Sequence, residues 1–174
     1  MRLYLIPLMM IFSACSDATD TKITNADSET CIFNFTMLKP CVYKNIKINL
    51  VVEKISSDEK LMQKITIVNQ GEPYILNIKD GTSILEGDRG YISIADINFD
   101  AIPDVAITTS FGLANLYVDY WVFDPINRQY SYVGNFSEFK INKKDKTLSN
   151  IVKINAAKYE NNLYQWQGTQ LTKQ

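Results

Sequence analysis

Histidine is absent from the sequence. That removes imidazole acid–base catalysis, Ser-His-Asp triads and His metal ligands together. Positive charge is not in excess either: 18 Lys and Arg stand against 19 Asp and Glu, a net charge of −1. Nucleic-acid binding needs a strongly basic face, so that class of partner is excluded. Cysteine is scarce, with three in 174 residues. No Ser nucleophile motif is present. Paired carboxylates can cleave glycosides without His, but the clustered acids here all precede one apolar run at metal-loop spacing. No enzyme is expected.

The N-terminus, "MRLYLIPLMMIFSAC", has a short positive start at Arg2, an apolar run from Leu3 to Phe12, and small residues after it. The run is shorter than the ~20 residues a spanning helix needs. It reads as an export segment, with an uncleaved anchor as the alternative. Phe12-Ser13-Ala14-Cys15 resembles the lipobox of bacterial lipoproteins, with Phe where Leu is usual. The resemblance implies a signal peptide over 1–14, a lipid on Cys15 as the mature N-terminus, and membrane attachment through that lipid. Ser16 in place of Asp implies the periplasm and the outer membrane. Losing Arg2 from 18 basic residues against 19 acidic leaves the mature side chains at −2. Cys31 and Cys41 are then an even pair in an oxidising compartment, read as a disulfide; two buried thiols are the alternative. Residues 16–30 hold no aromatic and one large apolar residue, Ile23. With Cys15 they read as a polar tether over 15–30, leaving one domain over 31–174.

From Cys31 onward the pattern has period two. Ile46, Ile48, Leu50 and Val52 alternate, as do Tyr74, Leu76 and Ile78, then Ile92 and Ile94, then Val105 and Ile107. Aromatic runs follow at 116–124 and 129–133, and "NNLYQWQG" reads as a last strand. Turn-forming stretches separate the runs: "NQGEP", "KDGTS", "EGDRG", "FDPINRQ", "NKKDKT" and "YENN". Only 56–64, "SSDEKLMQK", hints at a short helix, from the capping-box spacing of Ser56 and Glu59, or else at a charged turn. The expected fold is all-β, with antiparallel sheets in a sandwich or propeller-like stack.

Within that pattern, "DINFDAIPD" places Asp96, Asn98, Asp100 and Asp104 at positions 1, 3, 5 and 9 of one turn between two strands. The carbonyl of Ile102 falls at position 7. Calcium takes six to eight hard oxygens on such loops; a solvated Asx-rich turn is the other reading. Position 6, where Gly is usual, is Ala101, and a Cβ in the left-handed conformation costs about 1–2 kcal/mol. The Glu of an EF-hand is missing at position 12, where Ile107 stands.

"DINFDAIPDVAI" resembles the strand-connecting calcium loop of FG-GAP/VCBS-type repeats. Together with "TTSFGLANLYVDYWVFDPINRQYSYV", "FKINKKDKTLSNIVKI" and "YQW" it resembles a family of small periplasmic lipoproteins with one such loop, over roughly residues 84–170. Some members are immunity proteins or lysozyme inhibitors that block peptidoglycan-cleaving enzymes. The resemblance implies calcium held by Asp96, Asn98, Asp100, Ile102 and Asp104, and a cell-wall hydrolase or effector as partner. An envelope structural or assembly lipoprotein with no inhibitory role is the alternative.

Two further candidates remain. Tyr117, Tyr120, Trp121, Phe123, Tyr130 and Tyr132 read as cross-strand core packing or as a stacking surface. The stretch "TTSFGLAN" reads as a binding loop on a rigid sheet, with Ser110, Phe111, Gly112, Leu113 and Asn115 as contact candidates. The lysines at 140, 143, 144 and 146 read as a solvated hairpin, with attraction to an acidic partner as the alternative.

Overall fold

The structure is a computed structural model, and it describes residues 28–112 and 115–174. The readings that fall on residues 1–14, on Cys15, on most of the tether and on Leu113 lie outside the described residues. The rest is all-β and antiparallel, as the alternating pattern requires, with no helix among the described residues.

Strand β1 (Glu29–Asn34) comes first. A meander follows: β2 (Cys41–Tyr43), β3 (Ile46–Lys54), β4 (Glu59–Asn69) and β5 (Glu72–Asn77). The short β6 (Ser83–Leu85) pairs with the start of β4. A second meander runs through β7 (Arg89–Ala95), β8 (Asp104–Phe111), β9 (Leu116–Asp124) and β10 (Gln129–Ser137). The third is β11 (Lys140–Asn142), β12 (Thr147–Lys153), β13 (Tyr159–Gln167) and β14 (Gln170–Lys173). Strand β1 leaves its neighbours in sequence and pairs with β7 at the edge of the second sheet.

That second sheet is shared by two cores, which makes the arrangement sandwich-like. Ile92, Ile94, Val105, Ile107 and Trp121 pack with Ile48, Ile65 and Ile67 of the first sheet. Ala106, Val118 and Tyr120 sit at alternate positions and pack with Leu148 and Tyr164 of the third. A strand covered on both faces has no polar side to show. Residues 104 to 108 of β8 are accordingly all buried, which is why "VAI" in the sequence carries no alternation. At Gly90 a Cβ would lie 2.7 Å from Phe33 and 2.8 Å from Phe111. These two rings meet edge-on at 6.1 Å across the space that the glycine leaves.

Three sequence readings are corrected. The stretch 56–64 is no helix: Ile55 and Ser56 N–H donate to the Glu59 carbonyl, closing the β3–β4 hairpin, and β4 begins at Glu59. A local capping pattern had no helical apolar stripe behind it, whereas Met62 and Ile65 had a sheet to fill (1% and 0% exposed). "YENN" is not a turn but the start of β13. The chain reverses earlier, where Asn155 Oδ1 accepts the Ala157 and Lys158 N–H groups at 3.0 Å. Strand β1 starts at Glu29, inside the stretch read as tether, because Glu29 and Thr30 pair with Ile94 and Ser93.

Cys31 and Cys41 form a disulfide, with Cα atoms 5.5 Å apart. Cys31 belongs to the second sheet and Cys41 to the first. The bond therefore ties two layers of the stack.

Candidate functional site

Strands β7 and β8 are joined by the acidic turn. Its side chains are spent largely on its own backbone. Asp96 Oδ1 accepts N–H bonds from Phe99 (2.7 Å) and Asp100 (3.2 Å), and Asp96 Oδ2 accepts one from Ala101 (2.9 Å). Asp100 Oδ1 accepts the Ile102 N–H at 2.8 Å, and Asn98 Nδ2 donates to Asp100 Oδ2 at 2.9 Å. Trp166 of β13 donates its indole N–H to the Ile97 carbonyl at 2.7 Å, so the third sheet props the turn from behind.

Asp104 has left the arc. It is 1% exposed, and its carboxylate accepts N–H bonds from Ile97 and Phe123, both at 2.9 Å. It stitches the turn to β9. Burial in the core pushes its carboxyl up to about 7, against those two N–H bonds, and the nearby Asp100 and Asp96 charges push the same way.

For a calcium ion, Asp96, Asn98, Asp100 and the Ile102 carbonyl remain hard oxygens on one exposed turn, while Asp104 faces inward. Among the described residues no group of three or more Asp, Glu, Cys or His side chains is placed to hold a metal ion. The backbone, however, already has the shape that such loops need. Ala101 sits at φ +68°, the left-handed conformation that Gly adopts freely. The cost of its Cβ is therefore charged to folding, not to metal binding. Ala101→Gly is expected to raise thermal stability slightly, by no more than about 1 kcal/mol once the extra freedom of an unfolded Gly is deducted. Calcium affinity measured by titration should change less than the tenfold expected had the ion imposed the turn.

Strands β8 and β9 are joined at the opposite end of β8. Of the contact candidates, Ser110 and Gly112 are exposed. Phe111 is half-buried against Phe33. Asn115 is an anchor: its Nδ2 donates to the Lys153 carbonyl at 3.1 Å, and its Oδ1 accepts the Lys153 N–H at 2.9 Å. One side chain thereby copies a strand-pairing contact and fixes the connection to the third sheet. Ser110 and Phe111 help line a groove of about 440 Å³, together with Thr82 and Asp88 among others. A second groove of about 330 Å³ is lined by Gly112, Asn115, Glu138, Lys140 and Asn150 among others.

The aromatic run divides. Tyr120, Trp121 and Phe123 are core, and Tyr117 and Tyr130 are half-buried. Tyr132 is 57% exposed, yet its ring packs on Trp121 at 5.5 Å and its hydroxyl donates to the buried Asp119 at 3.0 Å. Lys143, Lys144 and Lys146 are exposed around the β11–β12 turn. Sequence reasoning missed the roles of Asn115 and Trp166. Asn after a Gly-containing loop, and Trp beside an exposed last strand, were the available signs.

Compared with protein-family models, curated proteins and solved structures, the chain matches none.

Proposed function

We propose that the chain is an exported, lipid-anchored envelope protein that binds a peptidoglycan-cleaving enzyme and inhibits it, in the manner of an immunity protein. The observation that carries this reading is the β8–β9 connection. Its described residues line two grooves and are fastened at Phe111 and Asn115. Contact residues held in place before binding lose little entropy on binding, which favours tight association. The interlayer disulfide supports an oxidising compartment, and the acidic balance suits a basic target.

Ser110→Arg and Gly112→Arg are expected to weaken inhibition of the target hydrolase at least tenfold without shifting the melting temperature. Absence of inhibition against every peptidoglycan-cleaving enzyme tried, with unchanged survival of cells that lack the protein under effector attack, sinks the reading. The acidic turn favours a second one: a calcium-stiffened scaffold with no inhibitory role, in which Asp96, Asn98, Asp100 and the Ile102 carbonyl hold the ion. Melting in calcium against chelator tests the ion, because a ligand that binds only the folded state raises its stability.

A further inference from the structure

The space between the second and third sheets is incompletely filled. A recess of about 80 Å³ remains where β7, β8 and β9 face the Glu138–Ile141 segment. Polar side chains in its wall are Thr30, Tyr91, Ser93, Asp104, Tyr120 and Glu138. All of them carry side-chain oxygen, and no Lys or Arg lines the recess; the Asp104 oxygens already accept the Ile97 and Phe123 N–H groups, which leaves Glu138 as the available carboxylate. Asp104 lies in the buried wall, whereas Glu138 is exposed and marks the mouth.

Tyr91 Oη is shielded from solvent without a well-formed hydrogen bond, and the Glu138 carboxylate at the mouth is the group it interacts with. Tyr91 and Glu138 thus bring a hydroxyl and a carboxylate together in the wall of the recess. The Tyr120 hydroxyl accepts the Phe139 N–H at 3.0 Å, which leaves its own proton free to turn. The Tyr120 and Phe139 rings, 4.9 Å apart, add aromatic surface to the wall.

We propose that this recess is a binding site for a primary ammonium group on an alkyl stem. The oxygens offer acceptors for three N–H donors, the Glu138 carboxylate offers charge, and the rings offer both cation–π attraction and an apolar sleeve for the stem. A hard metal ion fits less well. It would require six to eight oxygens in its own shell, and the wall is half aromatic and aliphatic. The volume exceeds what one water needs and is sufficient for an ammonium with a short stem. Such a group arises on a free alkylamine or on the tip of a partner's Lys. The site does not depend on the β8–β9 connection or on an inhibitory role.

Titration of the purified protein with n-butylammonium, followed in assigned aromatic NMR spectra, tests the site. Saturable shifts confined to Tyr91, Tyr120 and Phe139 are expected, and n-butanol of the same shape should give none. Glu138→Gln, at the exposed mouth, should weaken the binding roughly tenfold by removing one charge. Tyr91→Phe should weaken it by removing one acceptor, with a melting curve checking that the variant is folded. A single-Lys peptide with a blocked N-terminus separates the sources: shifts at the same residues mean that a protein Lys is accepted, and shifts with butylammonium alone mean a small-amine site. Equal shifts with butanol, shifts with sodium or potassium in place of the amine, or no shifts at all (water alone in the recess) would overturn the proposal.

Discussion

In chelator, the protein is expected to melt higher at pH 5 than at pH 8. Asp104 carries the effect. Its folded-state carboxyl is raised to about 7 from an ordinary 3.8, so the folded chain holds a proton that the unfolded chain has released. Stability from this group is full below the unfolded value and is lost as pH rises through the folded one. Between pH 5 and 8 the loss amounts to roughly 2–3 kcal/mol, or on the order of 10 °C for a domain of this size. The absence of His leaves no ordinary side chain titrating in that window, which makes the slope attributable. Asp104→Asn keeps the volume, removes the titration, and should give a flat profile at lower stability, since its amide turns a donor toward one of the two N–H groups it must meet. A flat wild-type profile, or a variant that keeps the slope, refutes the assignment. Calcium, if it binds the turn, should raise the melting point more at pH 8 than at pH 5, because the ion's charge offsets the repulsion from Asp96 and Asp100 that bears on Asp104.

The fold was legible where burial had one side. Ile46 to Val52 and Tyr74 to Ile78 alternate because their strands face one core, and the period-two reading located them. Where a strand is covered on both faces, as in "VAI" of β8, alternation disappears, and only the flanking turn residues mark the strand. Ser56 and Glu59 misled because capping spacing is a local cue, while the pull of Met62 and Ile65 into the core is a long-range one. The candidate site was half legible for the same reason. Ligand spacing correctly placed Asp96, Asn98 and Asp100 on one turn. It placed Asp104 there too, because nothing in the spacing reveals the Phe123 N–H that draws it inward from 19 residues away. The Asn115–Lys153 clamp spans 38 residues and Trp166–Ile97 spans 69; contacts at such distances are set by how the sheets stack, and one sequence does not contain that information in readable form.

The doubly substituted Cys31→Ala, Cys41→Ala chain is expected to lose about 2–3 kcal/mol from the restored freedom of the unfolded chain. A further loss comes from the gap beside Cys41, which is 0% exposed. The melting temperature should fall by on the order of 10 °C or more. The bond's position makes the effect specific. Strand β1 is an edge strand, paired with β7 alone, and the disulfide cross-links it to β2 in the other layer. Releasing it should loosen β1 first. Amide exchange in Thr30 to Phe33 should then accelerate more than in β8 or β9, which are paired on both sides. Reductant added to the wild-type protein should reproduce both the lower melting temperature and the selective exchange. If exchange rises evenly across the second sheet, β1 is not a separately unfolding element. If the melting temperature does not move, the two layers are held by packing alone. The expected result has a consequence for the route to the folded state. A chain kept reduced lacks this stabilisation, so full stability is reached only once the Cys31–Cys41 bond has formed.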